Sequence, residues 1–192
     1  MLANNVKMET TVPTVSRKKL ILLWGAIAGG AAVALSYIFK LIGMQSGGGG
    51  LLMTAIIAVG VGFCMAKAVK THRDKNNNGY IPFGKAFSMA FVTGLWAAVI
   101  TTVLSFAIIQ IVGTDDYFKD IEEEQMEAIA KMEEDGASEE QIEMTEKFMS
   151  YAKNIPLILG MGFIINIIGS LIIGLIVAAI VKKEGAENTF AG

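Results

Sequence analysis

The residues of this chain that come closest to a chemical signature are Asp74, Asn76 and Asn78, followed by Gly79 and Ile81. Oxygen-bearing side chains at alternate positions, then a glycine for a sharp turn, make the first half of a calcium-binding helix–loop–helix, which a bidentate carboxylate at the twelfth position completes. That position is Lys85, a cation where the ligand should be. The expectation is an Asn-rich turn with Asn78-Gly79 taking positive φ. His72 is the only histidine and has no Cys or second His at zinc-ligand spacing. G-x-S-x-G, H-E-x-x-H and Walker sequences do not occur. Asn166 is the one strongly polar side chain deep in an apolar run, and no Asp, Glu, Arg or His accompanies it there. No catalytic residue, cofactor-binding residue or metal ligand is assigned, and the chain is expected not to be an enzyme.

The elements that carry these residues are set by hydropathy. Hydrophobic residues make up 53% of the 192 and charged residues 18%. The charges stand in blocks, and the apolar stretches between them run to about 20 residues, the length a bilayer core of roughly 30 Å demands. Four spans are predicted: Leu20–Ile42, Leu51–Val69, Ala86–Val112 and Ile155–Val181. Residues 1–19 read as a disordered tail, and residues 184–192 as a second short tail. A cleaved signal peptide is the competing reading of the first span, but the apolar run continues past its Ala32-x-Ala34 cleavage candidate. Gly43–Gly50, with four consecutive glycines, is predicted as a flexible reversal. Cys64 is the only cysteine, so no intrachain disulfide can form.

Lys67–Lys85 is a loop rich in positive charge, with Lys67, Lys70, Arg73, Lys75 and Lys85 against one acid. Thr114–Asn154 has the opposite character, with fourteen acids between Asp115 and Glu146. Its apolar residues recur at helical spacing. Asp135-Gly136-Ala137 interrupts them, and Ser138 with Gln141 fits a capping box. Two amphipathic helices are predicted, Tyr117–Glu134 and Glu139–Asn154. Counting Lys and Arg by side gives eleven with the termini and basic loop and five opposite. The positive-inside rule then places the termini and the basic loop in the cytoplasm, and the acidic helical hairpin outside. The fold class is an all-α integral membrane protein with four transmembrane helices and an extracytoplasmic acidic hairpin between spans three and four.

Small residues within the spans mark close helix contacts, because association in lipid relies on packing. Gly25 and Gly29 form a GxxxG pair, and Gly60, Gly62, Gly160, Gly162, Gly169 and Gly174 extend the set. Packing within one chain is preferred to pairing of copies, and a homo-oligomer stays open. Asn166 is assigned to hydrogen bonding between helices, with a role beside a solute path as the alternative. Met126, Ile129, Met132, Met144, Phe148 and Met149 give the acidic hairpin an adaptable apolar side, the preferred surface for a membrane or envelope partner. Solvated helix faces explain the same charges more plainly. The lipid bilayer is the other partner, and nothing suggests nucleic acid.

His72-Arg73-Asp74-Lys75 followed by Gly79-Tyr80-Ile81-Pro82-Phe83-Gly84-Lys85-Ala86-Phe87 resembles the loop signature of the domain of unknown function 4199 family. So does the order of segments over Ser16–Lys183: a hairpin, this loop, a third span, a polar insert and a fourth span. The resemblance implies a four-helix inner-membrane protein of a group found mainly in Bacteroidota. It implies no activity and no cofactor. Gly79, Tyr80, Ile81, Phe83 and Gly84 carry the distinctive part, with Tyr80, Ile81 and Phe83 expected as anchors at the membrane interface. The functional expectation is a non-enzymatic accessory or interaction protein of the inner membrane, with a small oligomeric channel or transporter as the alternative.

Overall fold

The computed structural model describes residues 15–44, 47–151 and 154–184. Six helices are present among them and no strand: α1 (Arg17–Leu41), α2 (Gly47–Asn76), α3 (Phe83–Val112), α4 (Thr114–Glu134), α5 (Glu139–Ser150) and α6 (Ile155–Val181). Four of them, α1, α2, α3 and α6, are long and apolar enough to cross a membrane. The shortest, α1 with 25 residues, reaches roughly 38 Å at 1.5 Å per residue, more than the hydrocarbon thickness. The chain is therefore a multi-pass membrane protein by its helices.

α3 is the centre of the bundle, packed between α1 and α6. Its buried residues Ala86, Met89, Ala90, Thr93, Gly94, Ala97 and Ala98 recur at intervals of three and four, so small side chains line the surface its neighbours approach. The main core lies at the basic end, where Met65, Val69, Ile81, Ala86, Met89, Ala178 and Val181 meet, with none more than 1% exposed. Thr93 is fully buried. Its hydroxyl donates to the Met89 carbonyl one turn back, at 2.8 Å, which satisfies it without a partner on another helix.

Several boundaries differ from the sequence reading. α2 continues to Asn76, seven residues beyond the predicted end of span two. Hydropathy falls at Lys70, but a helix does not end where its apolar part ends, and Arg73 and Lys75 in the last turn complement the helix dipole. The predicted long basic loop thereby shrinks to Asn77–Pro82. Gly47–Gly50 are helical, not the flexible reversal expected. The chain turns instead at the end of α1, where Gly43 has φ +69°. There the Gly43 N–H donates to the Lys40 carbonyl at 3.0 Å and the Met44 N–H to the Phe39 carbonyl at 2.9 Å, a Schellman closure. Val15 is held by Asn76 and α1 begins at Arg17, three residues before the predicted first span. Of the predicted tail 1–19, residues 1–14 lie outside the described residues, as do residues 185–192.

Between α4 and α5 the local signals act as expected. Gly136 takes φ +75°, and the Gly136 and Ala137 N–H groups return to the carbonyls of Glu133 and Met132. Both capping-box bonds form: Gln141 N–H to Ser138 Oγ at 3.3 Å, and Ser138 N–H to Gln141 Oε1 at 3.0 Å. α4 starts three residues before the prediction, and α5 ends at Ser150. Asn154 caps α6, its Oδ1 accepting from the Leu157 N–H at 3.2 Å, with Pro156 in the first turn, where its missing N–H costs nothing.

Candidate functional site

At the basic end, polar side chains tie four segments into one knot. The loop begins where α2 unwinds: Asn78 and Gly79 take φ 49° and 85°, and the Arg73 carbonyl accepts from both the Asn77 and the Gly79 N–H. Ile81 then pairs with Lys183, beyond α6, in an isolated antiparallel bridge. The N–H of each donates to the carbonyl of the other, at 2.9 and 3.0 Å. Pro82 stands at the N-cap of α3, where the chain is already extended.

Arg73 reaches across to α6. Its Nη1 donates to the Val181 carbonyl at 3.0 Å, satisfying one of the carbonyls a helix end leaves open. Its Nε pairs with Asp74 at 2.7 Å. This hydrogen bond, reinforced by the positive charges of Arg73, Lys183 and Lys70, holds the Asp74 carboxyl below its ordinary range. Lys183 Nζ lies 5.5 Å from the Tyr80 ring centroid. On the other side, Arg17 Nη2 donates to Ser88 Oγ at 3.0 Å, joining the start of α1 to α3.

The N-terminal arm is fastened by Asn76. Its Oδ1 accepts the Val15 N–H at 3.0 Å and its Nδ2 donates to the Val15 carbonyl at 2.6 Å. This two-point pairing fixes which end of the amide is nitrogen. The same Nδ2 lies 2.9 Å from His72 Nδ1, so that ring nitrogen must be the unprotonated acceptor.

The apolar part of α2 ends at Val69, and His72 lies on the polar turns beyond it. Burial and the charges of Arg17 and Lys85 lower its pKa. The stability contributed by the His72–Asn76 contact is therefore fully present above the unfolded histidine pKa and is lost as pH falls through the lowered folded value. Protonation would set an N–H against the Asn76 amino group. Acidification is expected to lower the protection of the Val15 amide relative to its intrinsic exchange rate at the same pH, and His72→Gln to flatten that dependence.

Those residues named from the sequence whose side chains are described each have a definite place. The calcium-loop reading does not fit: Asp74 and Asn76 lie within α2, with one paired to Arg73 and the other to Val15. Among the described residues no group of three His, Cys, Asp or Glu could hold a metal. In the loop motif, Gly79 makes the turn, while Tyr80 and Phe83 are 45% and 37% exposed. Ile81, expected at the membrane interface, is 1% exposed and belongs to the protein core. Phe83 stacks on Phe87 with centroids 6.4 Å apart. A Cβ at Gly84 would meet nothing.

The glycines divide in two. A Cβ at Gly25 would stand 2.9 Å from the Thr93 carbonyl and 2.7 Å from Trp96, and one at Gly29 would stand 2.6 Å from the Ala97 carbonyl. The GxxxG pair therefore lies against α3. Gly62 meets Ile173 at 3.2 Å, and Gly174 meets Phe91 at 3.5 Å. At Gly60, Gly160, Gly162 and Gly169 an added Cβ meets nothing within 4 Å among the described residues, so these four mark no close helix contact there. Among the described residues Asn166 does not bridge helices either. It is exposed, and its Nδ2 donates to the Gly162 carbonyl of its own helix at 2.8 Å.

Gly94 was not among the sequence candidates. A Cβ there would collide with Met65 Cε and stand 2.6 Å from Ser170 Oγ, so α2, α3 and α6 meet at this residue. The four-residue spacing of Ala86, Ala90, Gly94 and Ala98 is the signal that marks it.

On the acidic segment, Met126 and Met144 are 62% and 66% exposed, and Ile129 is half-buried. Met132, Ala137, Gln141, Met144 and Thr145 line an open cleft of about 570 Å³ where α4 meets α5. Phe148 and Met149 lie outside the residues whose side chains are described.

The model of a family described as a protein of unknown function (DUF4199) matches residues 23–183, from within α1 to the residue that bridges Ile81. Searches of curated proteins and of solved structures found no match.

Proposed function

Because this chain belongs to the DUF4199 family of unknown function, we propose that it is a non-enzymatic accessory protein of the bacterial inner membrane. Its bundle holds an acidic helical hairpin against one face of the bilayer as an interaction module. The observation that carries this reading is the apolar cleft between α4 and α5, lined by Met132 and exposed Met144 in a segment otherwise dense in acids. Flexible methionines adapt to varied apolar surfaces, and the surrounding carboxylates favour a partner with basic residues at its rim.

In this reading the termini and the basic end face the cytoplasm, by the excess of Lys and Arg there. The hairpin stands on the opposite side, away from an anionic cytoplasmic leaflet that would repel it.

Deleting Tyr117–Asn154 and replacing it with a short polar linker is expected to leave membrane insertion intact and to abolish cross-links to an envelope partner in native membranes. Unchanged cross-linking would remove the hairpin from the proposal. Protease added outside intact spheroplasts should cut within 114–154 and spare 70–85; the reverse pattern would invert the orientation. A solute path is the second reading. It requires several copies, since Asn166 faces outward, and undiminished flux in Asn166→Leu liposomes would end it.

A further inference from the structure

A groove runs along the outer surface of the bundle between α2 and α6, with a volume of about 450 Å³. Its floor on α2 is made by Ala58, Gly62 and Ala66, small residues at intervals of four that share one helix face. The next residue in that series is Lys70, which also lines the groove. On the α6 side the wall is apolar and runs from Ile173 to Val181. Nothing of the described chain fills the space between.

Twelve residues separate Ala58 from Lys70, which corresponds to roughly 18 Å along the helix. One leaflet of a hydrocarbon core of about 30 Å is roughly 15 Å deep. The groove thus has the length of a single leaflet, is greasy along that length, and ends on an ammonium at headgroup level. No carboxylate lies within ion-pair distance of Lys70 among the described residues. The nearby acid, Asp74, is already paired to Arg73. Lys67 stands at the same end, its Nζ 5.3 Å from the centroid of Phe63, another groove residue. The charge left unanswered at this end is positive.

We propose that the α2/α6 groove is a binding site for an anionic phospholipid of the leaflet at the basic end. One acyl chain lies over Ala58, Gly62 and Ala66, and the phosphate sits at Lys70 with Lys67 beside it. The proposal rests on the membrane-spanning reading of the four helices and not on the interaction role of α4 and α5.

The test is native mass spectrometry of the intact protein released from detergent after equilibration with phosphatidylglycerol or phosphatidylcholine. The anionic lipid should be retained at least fivefold more. Lys70→Gln should lower that preference about fivefold, the factor that about 1 kcal/mol for one basic residue at a membrane surface implies. Ala58→Phe, which fills the groove, should reduce retention of both lipids. Excess inorganic phosphate should not displace the bound lipid. Equal retention of the two lipids, an unchanged preference in Lys70→Gln, or displacement by phosphate alone would overturn the site. So would efficient disulfide dimerisation of Val59→Cys in a Cys64→Ala background, since a second copy would then cover the groove. The protein lacking 117–154 should keep the preference, so failure of the interaction role and failure of the lipid site are read separately.

Discussion

Replacing Gly94 by leucine is expected to cost the bundle about 3 kcal/mol or more, at or above the top of the range for overpacked cores. It should convert a monodisperse detergent-solubilised protein into one that aggregates. The reason is that α3 has no direction in which to move. On one side its Gly94 backbone faces Met65 and Ser170, with no room for a Cβ. Away from them, α3 already touches α1 backbone to backbone, with Gly25 and Gly29 packed on the Thr93 and Ala97 carbonyls. Met65 is flexible enough to yield in part, so Gly94→Ala should be markedly milder. Gly160→Leu is the control, because an added Cβ there meets nothing within 4 Å among the described residues. Thermal unfolding followed by circular dichroism, with size-exclusion profiles, separates the three. Equal stability of Gly94→Leu and Gly160→Leu would show that the three-helix contact does not hold the bundle.

Ile81→Ala is expected to lower stability by about 2–5 kcal/mol, the usual range for emptying a buried isoleucine site. Ile81 is 1% exposed and sits among Val69, Ala86, Ala178 and Val181. It also anchors the loop through its two backbone bonds to Lys183. Ending the chain after Lys182 removes those bonds while keeping the side chain. At about 0.5–1.5 kcal/mol for each bond, that truncation should cost less than the substitution. The two changes share one structure, so the double variant should lose less than the sum. Full additivity, measured by denaturation in detergent, would mean that the bridge and the side chain act independently. Arg73→Ala offers a further comparison, because it uncaps the Val181 carbonyl at the same end of α6.

These predictions rest on contacts of unequal legibility. The Ser138–Gln141 box and the turn at Gly136 were readable because both ends of each interaction lie within a few residues. The apolar spans were readable because lipid imposes a length on composition. The end of α2 was misread for a related reason. Hydropathy marks where a helix leaves the hydrocarbon, whereas Lys70–Asn76 continue the helix in polar surroundings, held by Arg73 on α6 and Asn76 on the N-terminal arm. Gly47–Gly50, flexible in isolation, are carried into α2 as its first turn.

The glycines show the same limit. A GxxxG pair announces a surface that a neighbour can approach closely, and Gly25 and Gly29 have one in α3. The small residues of α6 at 160, 162 and 169 carry the same pattern, yet an added Cβ at any of them meets nothing within 4 Å among the described residues. Spacing names the face of a helix but not what lies opposite it.

By itself the sequence determined the number of spans, the break between α4 and α5, the segregation of basic from acidic segments, and the family, whose model matches residues 23–183. Each depends on composition or on residues close along the chain. Only the tertiary structure decided that α3 is the central helix, that Gly94 is its tightest point, and that Ile81 is core rather than interface. It also placed Val15, His72, Arg73 and Lys183 in one knot. The bonds of that knot join residues as far apart as Arg73 and Val181, 108 positions along the chain. Which of these meet is settled by how the helices pack and not by any local preference.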